Sequence, residues 1–304
     1  MIDSSPLSEE DKQWLATVNF HYLLGYARNL RELKRNDLTI VPQTVGVLRN
    51  LIETETNFVS FLTPWLRSAE WHLRSLTVSH FCSAQGHGGG YLDNSGWSSF
   101  TVGDREKLQN KMLDSIKRHG EPYVTNHLKG AASRLDVRLP KSYDPSEKNL
   151  WLQLVEGLPL WAVVDSFSIG TLGKFIMLCN EQPGCNECEE VTLVWKRIAK
   201  DLGISANRFS VTVDAFGVLR NSAFHHQRLW MRPMSKSPGL AKELERRYKD
   251  QGFKDRNKQA QFISIVMMSK FLPSYQRNDF LNLLDDFLDQ NELFKLGIVT
   301  SPFA

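Results

Sequence analysis

The chain has 304 residues, a formal net charge of +3, and a composition of 41% hydrophobic, 23% charged and 11% aromatic residues. That balance excludes a disordered or fibrous chain and leaves room for a substantial core in one large domain or two small ones. So small a charge is no argument for nucleic-acid binding, and any basic patch has to be local.

No apolar region follows Met1. Asp3, Ser4, Ser5 and Pro6 lead into Glu9, Glu10 and Asp11, which argues against a signal peptide, and no apolar run reaches the roughly 20 residues of a membrane span. Four unevenly placed cysteines point to a reduced, cytoplasmic protein without a membrane partner. Ser8 reads as the cap of a first helix whose opening acidic residues suit the dipole. That helix carries Trp14, Leu15, Val18, Tyr22 and Leu23 on one side and ends near Leu33. Arg28, Arg31, Lys34 and Arg35 cluster at its far end, where complementing the helix dipole explains them better than an RNA contact does.

After a turn at Asn36-Asp37 and Pro42, apolar residues recur at helical spacing from Val45 through Leu48, Leu51, Phe58, Leu62, Leu66 and Leu73 to Phe81. Pro64 is expected to break or kink this helix. Arg74 and His80 stand six apart, about 120° around an ideal helix; Arg74 remains a candidate for a supporting contact. Gly86 to Gly90 is a loop, and Gly170-Thr-Leu-Gly-Lys174 reads as a turn or a close-packing site. Neither is followed by the Lys-Ser or Lys-Thr of a nucleotide-binding loop.

Asp104 to His119 is helical. Arg134 to Lys148, polar and holding Pro140 and Pro145, reads as a linker or surface loop. Trp151, Leu154, Leu158, Trp161, Val164, Phe167 and Phe175 then look like core. Cys185 and Cys188 supply only two of the ligands a structural zinc requires, so no metal and no cofactor are expected. A helix from Val191 to Leu202 is closed by Gly203-Ile-Ser205. Lys236 to Lys258 holds eight Lys or Arg against four Asp or Glu, which suits either an RNA backbone or a solvated helix. Phe280 to Asp289 is an acidic amphipathic helix, packed on the body or on a second subunit.

Gly217 to Pro233 concentrates the chemistry. Val218 to Met231 contains no glycine or proline and keeps helical spacing, so a helix stopped by Pro233 is expected. Positions four apart share a face, which puts Asn221 with His225; Arg220 lies beside them, and His226 is rotated toward another flank. An imidazole titrates near pH 6.5, suited to moving a proton at an RNA 2′-hydroxyl or a leaving oxygen. A guanidinium forks onto phosphate oxygens and the charge that builds on them. The same residues also occur at this spacing as ordinary helix surface.

Leu219-Arg220-Asn221-Ser222-Ala223-Phe224-His225-His226-Gln227-Arg228-Leu229-Trp230 resembles the signature of the Abi-like abortive infection proteins, the AbiD and AbiF group. So do Leu158-Pro159-Leu160-Trp161 with Ser166 to Lys174, Phe20 to Tyr26, and Tyr91-Leu92-Asp93. His21, Leu23, Ile169, Phe224 and Met231 depart from the usual pattern without touching Arg220, Asn221 or His225. The family in turn resembles HEPN ribonucleases. The resemblance implies an all-α protein with a HEPN-type helical bundle embedded in a longer helical chain: an N-terminal helical segment over 1–42, the motif-bearing domain over 43–234, and a C-terminal extension over 235–304.

It further implies a metal-independent endoribonuclease toxin of phage defence. His225 is the general acid or base, Arg220 the phosphate stabiliser and Asn221 the orienting residue, with His226, Arg228, Arg74 and Arg232 as RNA-binding or supporting residues. One complete Arg-Asn-His set per chain implies a homodimer with a composite site, with RNA as substrate and an RNA or protein antitoxin as partner. The alternatives are a non-catalytic helical module that binds a regulatory RNA or antitoxin, and a target of nucleotide transfer.

Overall fold

A computed structural model describes residues 7–85, 89–93, 102–178, 194–234, 237–249 and 259–301. Among them are fourteen α-helices and no strand, so the protein is all-α. The helices are α1 (Glu9–Leu15), α2 (Phe20–Arg35), α3 (Val45–Gln85), α4 (Val102–Arg118), α5 (Pro122–Arg134), α6 (Lys148–Leu154), α7 (Leu160–Val163) and α8 (Ile169–Leu178). They continue with α9 (Val194–Leu202), α10 (Ala206–Phe224), α11 (Lys242–Arg247), α12 (Gln261–Met268), α13 (Ser274–Asp289) and α14 (Glu292–Val299). Two compact units emerge. The first joins residues 1–69 to 218–304, and the second is residues 70–217.

The single helix expected from Ser8 to Leu33 is two. Ser8 caps α1 through the Asp11 amide at 3.0 Å, but Asn19 starts afresh by accepting from the Tyr22 amide at 3.2 Å. A second side-chain cap competes with the backbone ladder and restarts the helix. In α3 the opposite happens: the helix runs through Pro64. A proline denies the Ser60 carbonyl its helical donor. Leu48, Leu51, Phe58, Leu62, Leu66, Ala69 and Leu73 nevertheless form one fully buried stripe, and continuous burial of this kind outweighs one missing bond.

In the first unit α3 packs against the C-terminal helices. Phe58 lies 5.2 Å from Phe287 and 5.0 Å from Phe294, ring centre to ring centre, and Phe61 stacks on Phe280. The acidic helix α13 therefore packs on its own unit, burying Phe280, Leu281, Leu284 and Leu288. Arg247 of α11 fastens to Asp285 at 2.7 Å.

In the second unit, Gly170 to Lys174 is not a turn but the first part of α8. Ser168 caps it, accepting from the Thr171 amide at 3.1 Å. Gly173 is the close-packing site: a Cβ there would meet a Val213 methyl carbon at 2.9 Å. Trp161, expected in the core, is 55% exposed and rests against Tyr123, with ring centres 5.7 Å apart. Helix α7 is only four residues long, so one wide face stays uncovered. Gly86 to Gly88, Val191 to Leu193, Cys185, Cys188 and, in the basic stretch, Lys236 and residues 250–258 fall outside the described residues.

Gly297 of α14 marks a tight approach in the first unit, since a Cβ would come within 2.0 Å of the Trp230 indole nitrogen. Gly297→Ala is expected to lower stability by about 1–3 kcal/mol through overpacking. Gly89→Ala, with nothing within 4 Å, is expected to shift it by less than about 0.5 kcal/mol; urea denaturation of the two variants checks both values.

Candidate functional site

Helix α10 ends at Phe224, seven residues before the Met231 that its apolar spacing suggests. The Gln227 amide donates to the Ser222 carbonyl at 2.9 Å and the His226 amide to the Ala223 carbonyl at 3.4 Å, with His226 in the left-handed region at φ 54°. These two bonds are a Schellman closure. Helix α9 ends in the same way on Gly203, whereas α2 and α5 use Asp37 and Asp136. A histidine there carries a Cβ penalty of about 1–2 kcal/mol that glycine would not.

The residues beyond the stop explain it. A helix continuing to Met231 would pass the amides of Leu229 and Trp230 to the carbonyls of His225 and His226. Both amides instead donate to Glu55 Oε1, the Trp230 bond being 3.4 Å long, while the Tyr26 hydroxyl donates to Glu55 Oε2. Glu55 is 1% exposed. Burial raises its carboxyl pKa, opposed by the Tyr26 hydroxyl, by the two amides and by the charge of Arg228. Burial likewise raises the Tyr26 phenol, helped by the Glu55 charge, so the phenol keeps the proton it donates.

The rest of the segment locks onto α2 and α14. Trp230 stacks on Tyr26 at 5.6 Å and 15°, and its backbone carbonyl and that of Met231 accept from Asn29 Nδ2 at 3.4 Å each. The Met231 amide donates to the Gly297 carbonyl at 2.9 Å. Arg228 lies 5.7 Å from the Tyr26 ring centre and against Gly25, where a Cβ would come within 1.9 Å of its Nη1. Two stretches some 200 positions apart, Tyr22 to Tyr26 and Arg228 to Met231, thus form one joint around Glu55.

This joint leaves the candidate catalytic residues at the surface. Arg220 is half-buried and donates from Nη1 to Asn221 Oδ1 at 3.3 Å. Its guanidinium sits 4.6 Å from the Phe224 ring centre. Asn221 and His225 are exposed. Although His225 lies just past the helix, its amide still donates to the Asn221 carbonyl at 2.9 Å. That bond preserves the i, i+4 register and the shared face.

His226 goes elsewhere, into the wall of a groove of about 910 Å³ that His21, Tyr22 and Gln227 also line. Arg232 Nη1 donates to Gln227 Oε1 and, at 3.2 Å, to Ser222 Oγ, bracing the closing turn of α10. Arg74 belongs to the second unit, where it is 7% exposed. Its guanidinium donates to the Val164 and Phe167 carbonyls, the latter at 2.8 Å, and pairs with Glu70 at 2.6 Å. It therefore holds the approach to the Ser168 cap.

Glu55 is the residue that motif reading missed. The signal was present: Leu48, Leu51, Glu55, Phe58 and Leu62 occupy one helical stripe, and a carboxylate at a core position requires partners. Among the described residues no group of three or more His, Cys, Asp or Glu is arranged to hold a metal, and no helix is long and apolar enough to cross a membrane.

An all-α chain in which the Phe20–Tyr26 and Leu219–Trp230 stretches meet in one joint, with an Arg-Asn-His set beside it, defines the class. The chain matches the Abi-like protein family over residues 13–231 and belongs to it. Membership points to a role in abortive infection. No significant match is found among curated proteins or among solved structures.

Glu55→Ala leaves two amides and a phenol without their acceptor and is expected to cost about 3–5 kcal/mol by chemical denaturation. The raised pKa also sets a sign for pH. The contribution of Glu55 is fully present below the unfolded carboxyl range and declines as pH climbs through the folded value. Relative to Glu55→Gln, the wild type is therefore expected to lose stability from pH 4 upward, which denaturation midpoints of the two proteins across a pH series will show.

Proposed function

We propose that this Abi-like protein is a metal-independent endoribonuclease of phage defence, of the HEPN type, acting at a composite site of a homodimer. The observation that carries the reading is that the Glu55 joint ends α10 so that Arg220, Asn221 and His225 stay together at the surface with their register intact. Arg228, by contrast, is pressed against Gly25 and Tyr26 inside the joint.

Arg220 forks onto the non-bridging oxygens of a phosphodiester and stabilises the charge that builds there. The imidazole of His225 takes the proton of the adjacent ribose 2′-hydroxyl as its oxygen attacks phosphorus. The bond to the 5′-oxygen breaks, and an imidazolium returns a proton to that leaving oxygen. One imidazole cannot readily do both at once, so the paired role falls to His225 of the partner subunit. Asn221 holds the guanidinium of Arg220 through its side-chain oxygen and leaves its own amide hydrogens toward the phosphate. RNA is the substrate, and an antitoxin of RNA or protein would act by covering this face.

His225 is exposed, so His225→Ala is expected to leave the unfolding midpoint within about 1 °C of wild type. Arg220→Ala, which gives up a half-buried contact with the Phe224 ring, is expected to lower it by about 2–4 °C. RNA cleavage is expected to fall by about 10²–10⁴-fold and to persist in the wild type in EDTA. Growth after induced expression gives the cellular readout: arrest by the wild type and not by either variant. Equal arrest by all three proteins would favour a binding module instead, and light scattering that shows only monomers would remove the composite site.

A further inference from the structure

The groove that receives His226 plays no part in the cleavage step above. It lies between the start of α2, the middle of α3 and the closing turn of α10, within the first unit. Its volume of about 910 Å³ falls within the range of small-molecule sites. Its hydrogen-bonding valences can be assigned one by one.

On the α3 side stand three hydroxyls, Thr56, Ser60 and Thr63. Each donates its only hydrogen to the carbonyl four residues back, at 2.9, 2.9 and 2.8 Å. What each can offer a guest is an acceptor lone pair. The other side is the reverse. Asn19 Oδ1 is engaged by the Tyr22 amide, and Gln227 Oε1 by Arg232 and Ser222. These networks fix the amide orientations and leave the NH₂ groups of both residues as donors. His21 and His226 add imidazoles, and Tyr22 and Phe224 add aromatic surface.

A guest that satisfies a row of acceptors, a facing pair of donors and aromatic walls is flat and carries donors and acceptors on its edge. An unpaired nucleobase with its ribose has that chemistry. Phe224 also ties the groove to the candidate catalytic face, because the same ring receives the Arg220 guanidinium.

We infer that this groove is the nucleotide subsite of the protein, seating one unpaired ribonucleotide next to the phosphate held by Arg220, with His226 as a recognition residue. The inference rests on the ribonuclease reading for the identity of the guest. Three other helices close in the same left-handed conformation on Asp37, Asp136 or Gly203, and histidine, like aspartate, is among the types enriched there. Glycine at 226 keeps the turn and removes only the ring, which makes it the substitution that isolates the imidazole.

The test is carried out in the His225→Ala protein, so that RNA binding is read without turnover. The probe is a fluorescein-labelled, single-stranded hexaribonucleotide of mixed sequence, followed by anisotropy. His226→Gly is expected to weaken binding by about tenfold or more while its Tm equals or exceeds that of its parent. Thr63→Val, isosteric and stripped of its acceptor, is expected to weaken binding at unchanged Tm, and duplex RNA is expected to compete poorly.

If both variants bind as tightly as the parent, or the parent does not bind the hexamer, the subsite is overturned. Variant-sensitive binding alongside a wild type that cleaves nothing would instead sink the ribonuclease reading and leave the subsite standing.

Discussion

One buried carboxylate organises the first unit. Glu55 stands in the apolar stripe of α3 and takes the two backbone amides that would otherwise have carried α10 onward, together with the hydroxyl of Tyr26. A carboxyl in an apolar interior is costly unless its oxygens are fully engaged. Here both oxygens are engaged, by groups from α2 and from the segment after α10. Remove the carboxylate and neither the end of α10 nor the seating of Trp230 on Tyr26 has a reason to persist.

The family signature thereby divides into two physical roles. Arg228, Leu229 and Trp230 face inward, and with Gly25 and Tyr26 they form the joint; Gly25 is glycine because the Arg228 guanidinium occupies the space a side chain would need. Asn221 and His225 face outward, with Arg220 half-buried beside them against the Phe224 ring. His226 lies at the boundary, closing the helix with its backbone and lining a groove beside it. Residues a few positions apart in one motif thus serve a scaffold, a reactive face and a recognition pocket.

Much of this was legible in the sequence. Helical spacing placed most of the helices, the family resemblance implied the all-α class, and Ser8 announced its cap; the His225 amide still reaches the Asn221 carbonyl four residues back although the helix ends between them. The failures share a cause. Asn19, Glu55 and the left-handed His226 each end or restart a helix through a specific hydrogen bond, and periodicity of apolar residues is blind to such bonds. Leu229, Trp230 and Met231 continue the apolar rhythm after Leu219 and Ala223 because they too are buried, but against a different set of neighbours. Trp161 was misplaced for the converse reason: an apolar residue in a four-residue helix has no second turn to force it inward.

The central claim is that an imidazole and a guanidinium displayed beyond this joint let a ribose attack its own phosphate. The chemistry of the ends left on cleaved RNA tests it most directly. Purified protein incubated with single-stranded RNA in EDTA is predicted to leave 2′,3′-cyclic phosphates and free 5′-hydroxyls, and to leave RNA deoxygenated at the scissile 2′ position intact. Fragments bearing 3′-hydroxyls and 5′-phosphates, the mark of attack by water, would contradict the account.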